Sequence, residues 1–346
     1  MAGAGACCIA RHWYRDNGRD MFKRLHAALA AMVLLGAASA PAWAQTKVTI
    51  GLIGTNESQI PILLAIDQGY FKAENLDVQP MQFRGGGVAV QALVGGSIDL
   101  AAFATDHVLR LANRGIDPRI LIGIDRYLTH TLVVPASKGY KGLADLKGRK
   151  LGVSAPGSYS DNTLRWALSS LGINPDRDVT IVGIGSGNTA RAALESGQVD
   201  AVMAATPDLL GYQIDAPGKF EVLYDWRRTE HSGQAVIGLQ KWVDAHPEAA
   251  RGVARAVLKA EQLIQRDPAA VARIVRQQYP DRGDAFIQAM TAVVPKLISP
   301  DGRVSDQGYA KMTEILRSTE PELKPVDKST IDLTDRLLGT RGQVTD

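Results

Sequence analysis

Six short loops hold most of the small polar chemistry of this chain: GTNESQ (54–59), RGGGV (84–88), ATDH (104–107), APGSYSD (155–161), GSGNT (185–189) and ATPD (205–208). Each follows an apolar run and leads into a helix-like one. Such loops offer backbone N–H groups and small polar side chains, and a helix N-terminus adds about half a positive charge. That equipment suits holding a carboxylate, sulfonate or phosphate. Equipment for making bonds is harder to find. No H-E-x-x-H, G-x-S-x-G or G-x-x-x-x-G-K-[ST] pattern occurs. GIGSGN (183–188) approaches a dinucleotide fingerprint, but Asn188 stands where the third glycine belongs. His107, His130, His231 and His246 are scattered and read as surface or hydrogen-bonded side chains, with His130 and Tyr127 near an expected chain crossing.

The loops need elements to carry them. VTIGLI (48–53), LDVQPMQF (76–83), IDLAAFA (98–104) and PRILIGID (118–125) are expected strands. PILLAIDQGYF (61–71), VAVQALVGG (88–96) and DHVLRLANRG (106–115) are expected helices, with Pro61 suited to a first turn and glycines as stops. THTLVVPAS (129–137) reads as an extended crossing segment. The alternation then restarts with RKLGVSA (149–155) and continues through VDAVMAA (199–205), KFEVLYD (219–225) and GQAVIGL (233–239). Strands alternating with helices argue for mainly parallel sheets flanked by helices. After Lys241 the chain turns helical. Ala250, Val253, Ala254, Val257, Leu258 and Ile264 fall near one helical face, and Asp267-Pro268 opens another helix. This tail is expected to pack on a sheet as cover.

One phrase is written twice. ALVGGSIDLAAFAT (92–105) and ALESGQVDAVMAAT (193–206) align at a constant offset of 101 residues, the step from 92 to 193. The same offset pairs Ile50-Gly51-Leu52 with Leu151-Gly152-Val153, Asp77-Val78 with Asp178-Val179, and Gly86 with Gly187. Any strand–helix–strand unit shares a general pattern, but not one register held from Ile50 to Thr105. Two similar lobes are therefore expected. In open parallel sheets ligands sit beyond the carboxyl ends of the strands. Two sheets with those ends facing would enclose a cleft, with Thr105 and Thr206 on opposite sides.

The N-terminal segment reads as a cleavable signal peptide over residues 1–44. Lys23, Arg24 and His26 precede the apolar run ALAAMVLLGAASA (28–40), and Ala42-x-Ala44 offers the cleavage pattern. Residues 1–20 read as a spurious upstream extension, with Met21 the true start. Removing 44 of the 346 residues leaves 302, with 34 basic and 34 acidic. The formal net charge of +3 thus belongs to the leader, and no nucleic-acid or membrane-surface partner is expected. Cys7 and Cys8 leave with it, so neither thiol chemistry nor a cysteine-bound metal is expected, and no cofactor.

GYFKAENLDVQ (69–79), the glycine loop, the doubled phrase, LADLKGRKLGVSAPGS (143–158) and KWVDAHPE (241–248) together resemble a known group. They resemble the periplasmic solute-binding proteins of ABC importers for sulfonates, nitrate, taurine and thiamine precursors, the NMT1/THI5-like family. The resemblance implies an α/β fold of two hinged lobes, a type II periplasmic-binding-protein fold, with the ligand cleft between them. Residues 45–132 and 238–346 would form one lobe with the helical tail, and 133–237 the other, with crossings near 131–137 and 233–239. It implies a monomer that captures a small anionic or zwitterionic solute and delivers it to an ABC permease with a separate ATPase. Carried over loop by loop, it puts Asn56, Ser58, Gln59, Gly86, Gly87, Thr105 and Asp106 at the cleft from one lobe, with Ser158, Tyr159, Thr206 and Asp208 from the other. Arg84 would be the cation for an anionic ligand, or else a solvated strand-end arginine. Asp106 and Asp208 fit such a ligand poorly; each would cap its helix or meet an amine or hydroxyl. The enzyme alternatives are a pyrimidine-precursor synthase, whose cysteine-rich motif is missing here, and a dehydratase. A sensory domain is a third class, and no transmembrane or signalling segment supports it.

Overall fold

The computed structural model describes residues 45–339. The expected leader, its cleavage site and both cysteines lie outside the described residues. Ten strands form: β1 (Thr46–Ile53), β2 (Leu76–Phe83), β3 (Leu100–Ala104), β4 (Pro118–Gly123), β5 (His130–Pro135), β6 (Lys150–Val153), β7 (Thr180–Gly183), β8 (Ala201–Ala205), β9 (Phe220–Asp225) and β10 (Gln234–Leu239). They build two sheets, ordered β2-β1-β3-β10-β4 and β7-β6-β8-β5-β9. The orders are the same when each strand is replaced by its counterpart. In each sheet one strand, β10 or β5, runs antiparallel to its neighbours.

The doubled phrase holds at the level of atoms. Asp99 Oδ2 accepts from the Thr49 N–H at 2.8 Å, and Asp200 Oδ2 accepts from the Lys150 N–H at 3.1 Å. Gly96 and Gly197 both end a helix with positive φ, +77° and +73°. Gly51 and Gly152 are glycines for one shared reason. A Cβ on Gly51 would lie 2.6 Å from Ile98 Cδ1, and one on Gly152 would strike the Ile184 side chain, with its Cγ1 at 2.9 Å. We therefore expect Gly51→Ala and Gly152→Ala each to cost about 1–3 kcal/mol by overpacking. Chemical denaturation would check this; a neutral result at both sites would refute the packing argument.

The inner strands β3, β5, β8 and β10 are buried on both faces, which is why they read as continuous apolar runs, while the edge strands β2, β7 and β9 are partly exposed. Side chains alternate between the faces. In the first sheet Ile50, Leu100 and Ala102 join one core with Val253, Ala254 and Val257 of helix Pro247–Arg266. Ala101, Phe103 and Ile237 join the other, with Met312 and Leu316 of helix Asp306–Thr319. In the second sheet Leu132 and Val134 face Leu164 and Leu168, while Val133 faces Leu194 and Leu209.

Two expectations need correction. The crossing segments were placed in 131–137 and 233–239, but those runs are largely the paired strands β5 and β10. The chain changes sheet earlier, over residues 124–129 and 226–233. An apolar run there lacks water to satisfy its backbone, so it joins a ladder. The crossing segments themselves lie side by side: Leu128 N–H donates to Thr229 O at 3.0 Å and His231 N–H to Arg126 O at 2.9 Å. The tail is also more than cover for one sheet. Ile315 of helix Asp306–Thr319 packs into the second sheet's core, and Trp166 Nε1–H donates to Glu314 at 2.8 Å. Arg282, also in the tail, pairs with Asp215 at 2.8 Å.

Candidate functional site

The loops after β1, β3, β6 and β8 converge at the carboxyl ends of the two sheets, joined by residues of the crossing segments. After β1, Asn56 caps a short 3-10 turn, Glu57–Gln59, by accepting from the Ser58 N–H at 3.0 Å. That turn buries Glu57, Ser58 and Gln59. Ser58 Oγ donates to Asp125 Oδ2 at 2.7 Å, fixing a carboxylate that follows β4. Gln59 donates to the carbonyls of Ile53 and Gly54, and its Oε1 accepts from Gln82 at 3.2 Å and from Gln278 of the tail at 3.3 Å.

Glu57 is 1% exposed, and neither carboxylate oxygen has a hydrogen-bond partner. Burial pushes its pKa up to about 7. The Thr206 hydroxyl from the other sheet is near enough to favour the charged form, yet completes no hydrogen bond of ordinary geometry with it. Burial also raises Asp125 well above the usual carboxylate range, and its Oδ1 is unpartnered.

Thr105 and Thr206 are both fully buried, as their matching positions require. Thr105 N–H donates to Gly233 O at 3.1 Å, while its hydroxyl has no partner. Thr206 Oγ1 lies 3.5 Å from Thr129 O. Gly233 precedes β10 and Thr129 precedes β5, so the doubled threonines meet equivalent crossing residues.

The capping role expected of Asp106 does not occur, whereas Asp208 is favoured in its charged form by the N–H of Ala205, the N-cap residue of its helix. Asp106 sits at the N-cap of helix His107–Asn113 without a side-chain capping bond. Its Oδ2 accepts from Arg110 at 2.7 Å and, across the cleft, from Asn162 at 3.4 Å. An arginine one turn on out-competes the backbone N–H groups for this oxygen. Burial opposes the Asp106 charge, but His107 and Arg110 outweigh it and hold the pKa below the usual range. Oδ1 remains unpartnered. Asp208 lies in the first turn of helix Thr206–Asp215, and its Oδ2 accepts from the Gly187 N–H at 3.1 Å, tying two loops of one sheet together.

Ser158 does cap helix Tyr159–Ser170, accepting from the Asp161 N–H at 3.3 Å, and its hydroxyl meets those of Ser154 and Ser160 at 3.0 and 2.9 Å. Tyr159 carries the contact across the cleft. Its hydroxyl lies 3.1 Å from His231 Nδ1, its ring stacks on His231 at 5.3 Å, and His130 meets it edge-on at 5.1 Å. Burial raises the Tyr159 pKa, and the charges of Asp125, Asp106 and Glu57 raise it further. Burial lowers His130 to about 4 and His231 to about 3, so both are neutral at pH 7. Ala104, Asp106, Tyr159, Asn162, His231 and Gly233 line a space of about 10 Å³ that admits one water molecule.

Three expected residues stand apart. Arg84 is exposed and makes no ion pair or side-chain hydrogen bond among the described residues. Gly87 is exposed. Gly86 serves packing, because a Cβ there would strike the His107 imidazole, which stacks on Phe103 at 4.8 Å. Four site residues escaped the sequence reading: Glu57, Asp125, Asn162 and His231. Glu57 lay inside a named loop, and Asp125 at the carboxyl end of an expected strand, where the position rule for parallel sheets could have found it. Among the described residues no group of three or more His, Cys, Asp or Glu is placed to hold a metal ion.

The site geometry can be set beside known proteins. The solved structure of a protein from Bordetella bronchiseptica RB50 superposes with a TM-score of 0.72 at 29% identity, over 84% of this chain and 96% of that one. The periplasmic aliphatic sulphonate binding protein SsuA of Escherichia coli shares the fold, with a TM-score of 0.66 at 21% identity over 81% and 94%. The nitrate/nitrite binding protein NrtA of Nostoc sp. PCC 7120 is 25% identical over 292 residues, 75% of this chain and 63% of that protein. The chain thus spans a little under two thirds of the length of the curated relatives it matches. The sheets and their helices have the two-lobe α/β architecture of periplasmic binding proteins. The profile of one family matches residues 56–271, well over half of the sequence, and with these features it shows that the chain belongs to the NMT1/THI5-like family.

Proposed function

We propose that this protein is the solute-binding component of an ABC importer, capturing a small organic solute by closure of two hinged lobes. One observation carries the reading. Polar groups from both sheets converge across one cleft, and several of them, including Thr105 Oγ1, Asp106 Oδ1 and both Glu57 oxygens, are buried with nothing to bond. Buried polar atoms are nearly always satisfied, and each orphan costs about 1–3 kcal/mol. A solute held between the lobes would satisfy them and so favour the closed state.

The names of SsuA and NrtA support the class of function. On this reading residues 45–123 and 234–339 move against 130–225, with the paired crossing segments 124–129 and 226–233 as hinge. The protein works in the periplasm after loss of its leader, and delivers its solute as a monomer to a permease driven by a separate ATPase. It binds its solute without transforming it.

The matched threonines test the cleft. Thr105→Val and Thr206→Val keep the shape and remove the hydroxyl. Each should weaken solute binding about 10-fold, the loss of roughly one hydrogen bond. Thr105→Val should cost the free protein no stability, because its hydroxyl has no partner to lose. Titration calorimetry with the solute found in a thermal-shift screen reads the first result and chemical denaturation the second. Unchanged affinity in both variants would remove the cleft from the function.

A further inference from the structure

Closing a cleft over carboxylates is expensive unless something arrives to meet them. Glu57 and Asp106 each have an unpartnered oxygen and are more than nine-tenths buried, as has Asp125. Asp106 lines one small space with Tyr159 and Gly233. Asp125 adjoins Gly233, where an added Cβ would lie 2.8 Å from the Asp125 Cβ, and Ser58 ties Asp125 to the turn that carries Glu57. His130 and His231 flank the Tyr159 ring. Of the cations only Arg227 bears on Glu57, as the weakest of the influences on it, and none bears strongly on Asp125. Arg110 is committed to Asp106 Oδ2 and to Glu320, and Arg227 is paired with Asp225. Both histidines are neutral at pH 7. Arg84, the cation expected to receive an anion, stands exposed and is not among the converging groups. In the free protein burial leaves Asp125 protonated and Glu57 partly so at pH 7, and a cation that displaces those protons turns both groups into acceptors beside an aromatic face that attracts cations.

We infer that the solute brings a positively charged nitrogen group, an ammonium or guanidinium, which docks between Glu57, Asp106 and Asp125 against the Tyr159 ring. This rests on the capture reading and narrows it: a zwitterion or an organic cation fits, and a simple anion does not. An N–H-rich cation supplies several donors at once, and charge-assisted bonds to buried carboxylates are the strong kind. The unpaired Glu57 then becomes a specificity residue, because it would be a liability to any anion entering the cleft.

Guanidinium and ethanolamine, against nitrate and ethanesulfonate, are suitable probes at matched ionic strength and millimolar concentration. Melting temperature is followed for the wild type, Glu57→Gln and Asp106→Asn, with circular dichroism as a check of folding. The two cations should raise the wild-type melting temperature and the anions should not. Glu57→Gln should bind the better cation at least about 10-fold more weakly by calorimetry while folding normally. Stabilisation by the anions alone would overturn the cation assignment and leave solute capture standing. Equal cation binding by wild type and Glu57→Gln would overturn the placement of the nitrogen group. No stabilisation by any of the four would overturn the assignment and count against capture at this cleft as well.

Discussion

Replacing Glu57 with glutamine should make the ligand-free protein more stable at pH 8, by as much as about 3 kcal/mol. The carboxyl group has a pKa of about 7 when folded, against 4.5 as its ordinary value, because burial disfavours its charge. Between those values the folded state keeps a proton that the unfolded state releases. Stability therefore falls as pH rises from 4.5 to 7 and stays reduced above 7. Glutamine has the same shape and no charge to bury, so the gain should vanish near pH 4.5 and be complete above pH 7. His231 pulls the other way. Its pKa is about 3 when folded against 6.5 ordinarily, so its contribution is full above pH 6.5 and is lost as pH falls towards 3. His130 acts in the same direction. Buried Asp125 and Glu261, both raised well above the ordinary carboxylate range, act in the same direction as Glu57, so the variant is compared with wild type at each pH, and the difference should grow from pH 4.5 to 7 and then hold. Urea unfolding at pH 5, 6.5 and 8 reads the whole pattern. A variant no more stable than wild type at pH 8 would mean that Glu57 has a partner after all.

Arg110→Ala should have the opposite and larger effect, a loss of about 3–5 kcal/mol. Arg110 reaches Asp106 at 2.7 Å and Glu320 at 2.6 Å, so it joins the helix after β3 to the tail. Removing it leaves the buried Asp106 with only a 3.4 Å contact from Asn162. The Asp106 pKa, now below the usual range, should rise in the variant. In the wild type this pair stabilises the fold above the ordinary carboxylate pKa, and the gain fades as pH falls through the depressed folded value. The variant should lose that acid dependence along with the stability. Denaturation at pH 4 and pH 7 checks both; a loss under about 1 kcal/mol, typical of an exposed pair, would refute the buried character of this one.

The sequence displayed the two sheets well, because the doubled phrase repeats structural necessities. Asp99 and Asp200 tie the same strand position, and Gly51 and Gly152 admit a bulky neighbour over the same strand. The exchange of β5 and β10 was hidden. Both are apolar runs like any other, and their antiparallel partners β8 and β3 lie far away in sequence. The site was half legible. Thr105, Thr206, Ser158 and Tyr159 stand in loops whose position after a strand points to a cleft. Glu57 was passed over because an acid beside Asn and Ser in a loop ordinarily faces water. Asp106 looked like a helix cap because nothing in the loop itself announced that Arg110 would claim it.

The central claim is that two lobes close around a small solute at the doubled threonines. Native mass spectrometry of the protein isolated from the cells that make it tests this most directly. The account predicts one low-mass solute per chain, released on gentle activation and absent from the Thr105→Val/Thr206→Val double variant. A wild-type chain free of any such solute, or a double variant that carries it equally, would contradict the account.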